Sequence, residues 1–573
     1  MGKPFYKKIW FIVLMALILL GTGAYFIITQ KANGIIETNL RLALEKNPNR
    51  LYLIDFRKIR ISPVQGNLVI KDILIKPNPK ALDSLHKIGN HQSLLAQVKI
   101  ASVKFKNVDL EQLVESQTIL LDELIIEKPN IVLKFTGYDK VVKDTVDPIE
   151  SLYRIANNIQ DLEVKTISLR KGNVLVSRQF EDALDTIVIA KGISLKVEDI
   201  KVDTAAEKIP INLDELNISF DSVWIKVNSV YDIALNNIDA SFKDSSISVG
   251  SFAMLPKISK EEFSASLKYE KIWQNIKCKD ILISGFDIDD FLFRKKLHIK
   301  SIELNEPYIY VYKDKNPAWP AHKKHSIPSA LLKKIKLDLN VEQIVVKNGE
   351  LHFEQKIAKR DNIGKLKLTN IFATVYNVTN REEIIEKSKW LTLDARMNLM
   401  GSGKMKTNLK FDYTSPSNNW YLDAHIGKMK MADLNPIIYP LTDAELLAGD
   451  LNDVELKIKG SEMSTHGTLD MVYDKAKINI KMYDDETGKV EQKGFISFVA
   501  NGVIRTSNIK GTPSYKEGNI SYTRTKDVPF IKFVWASIQV GLIDTFVGLK
   551  DKKEREQNKK LRKTRKEKRR KNR

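Results

Sequence analysis

Three places in this sequence bring together side chains that could do chemistry. His322 and His325 stand in PAHKKHS, a spacing that on a helix would put two imidazoles on one face for a divalent metal. Pro320 and Pro328 flank the stretch, so a basic, solvated loop is expected instead. Asp287, Asp289 and Asp290 could gather carboxylates around a hard cation, but the segment that aligns with them offers Asp109, Glu111 and Glu115 in a different spacing. Helix capping by Asp287 explains the pattern with less. Gly401, Ser402, Gly403 and Lys404 suggest a phosphate loop, which needs a Gly at 398 and a Ser or Thr at 405. Those positions hold Asn398 and Met405, so a turn between strands is expected. No GxSxG, HExxH or paired-Cys motif occurs, and no catalytic, cofactor-binding or metal residue is assigned. The chain reads as a binding protein without a cofactor, not an enzyme.

The elements that carry these residues must be inferred from composition and pattern. With 573 residues, 43% hydrophobic and 28% charged, the chain is folded rather than disordered, and too long for one compact core. The lone Cys278 excludes intramolecular disulfides and multi-cysteine zinc sites. A formal charge of +21 raises nucleic acid or an anionic membrane as partner. Residues 550–573 alone carry 15 Lys/Arg against 4 Asp/Glu, so about half the surplus is a tail. That tail has no interleaved aromatics, which argues against a specific nucleic-acid site and for electrostatic docking to anionic head groups, or a solvated end.

Residues 9–30 are uncharged and mostly apolar, long enough to cross a membrane. A retained transmembrane anchor is expected over a cleaved signal peptide, because Tyr25, Phe26, Ile27 and Ile28 continue the apolar run past the small residues at 21–24. Lys7 and Lys8 abut the run, which places the N-terminus in the cytoplasm and the body outside it.

Beyond the anchor, short alternations rich in Ile, Val, Leu, Tyr and Phe predict a mainly β body, with antiparallel ladders expected. Leu68, Ile70, Ile73 and Ile75 form one such set. Ile167, Leu169, Val174 and Val176 form another around an expected turn at Gly172. The pattern also repeats. Residues 109–133 align with 287–311 at an offset of 178 without a gap, superposing Asp109 on Asp287 and Pro129 on Pro307. Apolar residues coincide at Leu121/Ile299, Leu124/Ile302, Ile126/Leu304, Ile131/Ile309 and Leu133/Val311. The expected organisation is an anchor (1–30), a first β unit (31–233), its tandem repeat (234–411), a closing β block (412–527), an apolar helix (528–549) and a polybasic tail (550–573). Asp527 and Pro529 suit the start of that helix, which then either packs on the β body or meets lipid through Phe530, Phe533, Trp535 and Phe546.

This organisation resembles the AsmA-like family of bacterial envelope proteins. The resemblance rests on the anchor, on the tandem order of strand, capped helix, strand, Pro and strand, and on residues 432–480, where Asp433, Leu434, Asn435 and Pro436 precede Gly449, Gly460, Gly467, Leu469 and Tyr473. It implies an elongated, curved antiparallel sheet forming an apolar groove, with short helices, a repeating β-groove that moves phospholipid or another envelope lipid between the membranes of a diderm bacterium. The body would then lie in the periplasm on a single-pass inner-membrane anchor, the C-terminal helix and tail reaching anionic head groups or a second membrane, in support of outer-membrane lipid homeostasis. Leu121, Leu124, Ile126, Ile131 and Leu133, with Ile299, Ile302, Leu304, Ile309 and Val311, are the groove candidates. A closed core made by the same side chains is the structural alternative. An assembly factor for outer-membrane proteins and an envelope tether are the functional ones.

Overall fold

The computed structural model describes residues 51–108 (except 63–65 and 90), 119–136, 162–180, 183–201, 216–320, 324–480 (except 360 and 443) and 505–546 (except 514), together with Gly34, Glu37, Thr38, Arg41 and Leu42. The expected anchor and polybasic tail lie outside these residues. The chain is mainly β and divides into two compact bodies, residues 1–250 and 251–573.

The N-terminal body contains β1 (Tyr52–Asp55), β2 (Lys58–Ser62), β3 (Asn67–Pro77), α1 (Pro79–Lys87), β4 (Leu94–Lys106), β5 (Ile119–Glu127), β6 (Asn130–Phe135), β7 (Leu162–Phe180), β8 (Ala183–Lys201), β9 (Asn217–Lys226) and β10 (Tyr231–Ser241). Strands β1 and β2 share the edge of β3, which pairs with β4. β5 and β6 run end to end between β4 and β7, and β8, β9 and β10 follow in order. β5 and β6 are parallel to β7 while every other pair is antiparallel, so the sheet is mixed and the expectation of uniformly antiparallel pairing is corrected.

The strands are longer than their alternation suggested. Gly172 lies inside the 19-residue β7 and makes no turn. The break in phase comes from a bulge: Lys171 takes a left-handed φ of 54°, and the register against β8 shifts on both sides of Gly172. One extra residue in a strand restores side chains to the same face after the kink. Ile167 and Leu169 before it and Val174 and Val176 after it therefore share one side. Asp72 in β3, Lys128 between β5 and β6, Gly192 in β8 and Asn237 in β10 are also left-handed, so the device recurs across the sheet.

One strand, β11 (Ser246–Pro256), spans the boundary between the bodies. The C-terminal body then contains α2 (Lys260–Ala265), β12 (Ile272–Ser284), α3 (Ile288–Arg294), β13 (Lys296–Asp314), α4 (Pro328–Leu332), β14 (Asp338–Lys356), β15 (Ile363–Thr379), α5 (Glu382–Lys387), β16 (Trp390–Leu399), β17 (Gly403–Asp412), β18 (Trp420–Ile426), β19 (Met429–Lys430), α6 (Asn435–Thr442), β20 (Ala444–Gly460), β21 (Ser464–Ile480), β22 (Gly518–Thr523) and α7 (Phe530–Phe546). β12 to β18 pair in sequence, then β18 with β20, β20 with β21 and β21 with β22; β13 and β14 are parallel and the rest antiparallel.

The repeat is written in the backbone as well. Left-handed residues recur at Lys128 and Glu306 and at Gly192 and Asn370, each 178 apart, and at Lys171 and Asn348, 177 apart. As the sequence predicts, Asp287 caps α3, its side chain accepting from the Asp290 N–H at 2.8 Å. Its counterpart Asp109 lies outside the described residues. The Gly401 segment is the β16–β17 hairpin, with Met400 and Gly401 both left-handed.

The closing block has a filled core. Trp420, Tyr413, Tyr473, Leu469 and Ile520 are almost wholly buried and continue into Phe533 of α7. That helix starts at Phe530 rather than under an Asp527 cap. Asp527 instead accepts from the Trp319 indole N–H at 3.1 Å. The face of α7 on the sheet is a stripe of small residues, Ser537, Gly541 and Thr545, lying against Thr465, Gly518 and Ile520. Small side chains let helix and strands approach closely. Asp544 fixes the far end, accepting from Lys516 Nζ at 2.5 Å and from the Asn519 N–H at 2.9 Å.

Candidate functional site

The groove candidates fall into two groups. Leu121 pairs with Val164 in the N-terminal body and Ile299 with Val341 in the C-terminal body, and all four are buried. Leu124, Ile126, Ile131 and Leu133, with Ile302, Leu304, Ile309 and Val311, are only half-buried. These eight line up with apolar residues across their sheets, except that Val311 has Gln274 on one side. In the N-terminal body Ile126 lies between Val103 of β4 and Leu169 of β7, and Leu133 between Ala96 and Val176. In the C-terminal body Leu304 lies between Ile281 of β12 and Val346 of β14, and Val311 between Gln274 and Phe353.

Among the described residues of the N-terminal body no covering layer accounts for this face. Helix α1 has no buried residue. An apolar sheet face normally packs against a second layer, and fully burying a Leu or Ile contributes roughly 1.5–3 kcal/mol. A half-buried one leaves on the order of 1 kcal/mol unclaimed, repeated along the row.

The opposite face is polar and tied together by ions. Lys106 pairs with Glu123 at 2.6 Å, Lys104 with Glu127 at 3.2 Å, and Arg170 reaches Glu123 at 3.1 Å. Lys106 first of all, and Arg170 further off, hold the Glu123 carboxyl below its usual range. Like Leu121, Ile125 is buried in β5, at 2% exposure between the two glutamates. In the C-terminal body Lys260, at the start of α2, meets Glu354 and the Tyr310 hydroxyl at 2.6 Å each, while Tyr310 donates to the same carboxylate at 2.7 Å. Burial opposes the charge on Lys260, yet these hydrogen bonds prevail and its pKa is raised.

The residues singled out for chemistry are placed otherwise. His325 sits in a loop, its N–H donating to the Lys526 carbonyl, and His322 lies outside the described residues. Ser402 donates to Asp433 at 2.6 Å, and Asp290 pairs with Arg294. Cys278 is buried in β12, and burial raises its thiol pKa. Of the membrane-contact candidates, Phe530, Phe533 and Phe546 are taken up by the core, where Phe530 and Phe533 lie edge-on to Trp420. Trp535 is 41% exposed and the neighbouring Ile531 is 78% exposed, so the outward face of α7 carries exposed apolar side chains beside Lys532. Among the described residues no helix is long and apolar enough to cross a membrane.

A concavity of about 1000 Å³ opens on the polar side of the C-terminal sheet, across β14 to β20. Nothing in the sequence marked it, because its lining comes as three residues from each of six strands, which meet only through register.

In comparisons with known proteins, no family model matches the chain, and no curated protein matches it significantly in sequence.

Proposed function

We propose that this chain is a membrane-anchored envelope protein that binds lipid, phospholipid first, along an apolar groove and conducts it between membranes. One observation carries the reading: a row of half-buried Leu, Ile and Val, kept on one side of the sheet through successive bulges, with no covering layer over it in the N-terminal body among the described residues. Acyl chains satisfy such a face as a second protein layer would, and without a fixed partner sequence. The bulges favour the same reading, since strands this long would otherwise turn alternate halves of their apolar residues to water. The filled core of the closing block gives the groove an end. Ile531 and Trp535 on the outward side of α7, with the basic tail beyond, suit contact with an anionic membrane surface.

A photoreactive residue at Ile126 or Leu304 of the full chain in cells tests this, with Lys99 on the opposite face as control. Phospholipid adducts at 126 and 304 but not at 99 are expected. Protein adducts without lipid would instead favour an assembly factor. The topology has its own check: protease added to spheroplasts should degrade the body, and an intact body would place it in the cytoplasm.

A further inference from the structure

The polar concavity of the C-terminal body has a floor with an unusual charge arrangement. Register sets Phe372 of β15 opposite Arg396 of β16, Arg396 opposite Lys406 of β17, and Lys406 opposite His425 of β18. Two cations directly across an antiparallel pair repel, and such pairs normally draw in a carboxylate. Among the described residues neither Arg396 nor Lys406 has a carboxylate within ion-pair distance. The neighbouring acids are otherwise placed: Asp394 accepts from Asn408, Asp423 stands opposite Lys457, and Glu455 stands opposite His425 at the end of the row. Arg396 lies over the Phe372 ring at 4.7 Å, and His425 Nε2 is 2.7 Å from Asp453, so both groups are held in position before anything arrives.

We propose that Arg396 and Lys406 form an anion subsite for a phosphate group, with the Phe372 ring as an apolar wall. A guanidinium fork and an ammonium side by side match the several oxygens of a phosphate better than the single plane of a carboxylate. The concavity is open and about 1000 Å³ in volume, so it has room for the phosphate to be carried on a larger molecule, either a lipid head or a small soluble phosphate ester. Side chains alternate across a strand, so this floor faces away from the apolar row through Val346 and Ala373. The subsite therefore stands or falls separately from the groove.

The test is calorimetric titration of the detergent-solubilised full chain with inorganic phosphate, glycerol 3-phosphate and dihexanoyl phosphatidylglycerol. The variants are R396Q/K406Q and, as a control for loss of a surface cation elsewhere on the same body, K428Q. Saturable binding is expected, weakened at least tenfold in R396Q/K406Q and unchanged in K428Q. Tighter binding of the lipid than of glycerol 3-phosphate assigns the site to a head group, and equal binding of the two assigns it to soluble esters. Removing a repulsive pair should leave the melting temperature equal or higher. No binding of any probe, unchanged binding in R396Q/K406Q, or a lower melting temperature in that variant would each overturn the proposal.

Discussion

The indole of Trp420 lies flat against Gly460, its partner across β18 and β20, and fills the space where a side chain would stand. The indole N–H donates to the Ser461 carbonyl at 2.9 Å, and the rings of Phe530 and Phe533 press on it edge-on, so the ring is fixed on three sides. This contact joins the closing strands to α7 and anchors the filled core of the closing block.

Gly460→Ala should therefore be destabilising. A Cβ at that position would stand 2.1 Å from Trp420 Cε2, and the ring has no free side to move toward. Overpacking of this kind typically costs ~1–3 kcal/mol. Urea unfolding followed by tryptophan fluorescence measures it, and an unchanged midpoint would mean that the indole swings aside freely.

Phe533→Ala removes the side chain that α7 contributes to the same core. Phe533 is fully buried, lies beside Trp420 and Tyr522, and supports the Arg524 guanidinium at 4.9 Å. Truncating a buried Phe costs about 3–5 kcal/mol. Hydrogen exchange should show α7 and β22 losing protection together while β12 and β13 keep theirs. Loss confined to the helix would mean that α7 is a separable lid.

Lys315 gives a pH dependence with a defined sign. Burial, and then the charge of Lys313 beside it, bring its pKa down to about 8, against the pull of Glu270. An unfolded Lys titrates near ~10.4. Between those values the unfolded chain holds a proton that the folded chain has released, so this group makes stability rise with pH across that window. Below about 8 both states are protonated and the burial penalty is felt in full. Lys315→Met, which leaves Glu270 its pair with Lys313 at 2.9 Å, should be more stable than the parent at pH 7 and converge with it toward pH 10. A constant difference between the two across pH 7–10 would sink this account.

Much of this architecture could be read in the residues, and the parts that could not have physical reasons. The offset of 178 was visible because the apolar pattern and the two prolines recur, and the backbone repeats its left-handed residues at the same interval. The capping role of Asp287 was legible because a cap is a local interaction. Gly172 was misread because a bulge and a turn leave the same trace, a slip in the phase of alternation beside a glycine. What separates them is whether the flanking strands continue, and that depends on partners far away in the chain. Parallel pairing of β13 with β14 is likewise a property of the connection between them, not of either strand. In α7 the face that packs was not legible: Ser537, Gly541 and Thr545 share it with Phe533, because Gly518 of β22 lies directly against Gly541 and Thr545 and admits only small side chains there. The row of Arg396 and Lys406 belongs to the same class, since no local pattern announces which residues five strands will bring abreast.

Two neighbours in β5 offer the sharpest test of which side of this sheet is unfinished. Ile125 is 2% exposed and sits among Glu123, Glu127 and their cations, whereas Ile126 is half-buried on the apolar side. Hydrophobic patterning alone would assign the greater stabilisation to Ile126, which has apolar residues on both flanking strands. Burial assigns it to Ile125. Ile125→Ala should then cost ~2–5 kcal/mol, the range for a truncated core side chain, since the ion pairs around it cannot close over the cavity. Ile126→Ala removes side-chain surface that water partly reaches already and should cost about 1 kcal/mol or less. Denaturant unfolding of the two variants in lipid-free detergent measures the difference. If lipid fills the apolar row, adding phospholipid should raise the stability of the parent and of Ile125→Ala, and raise that of Ile126→Asp less. Equal costs for the two alanines would mean that both faces are already covered.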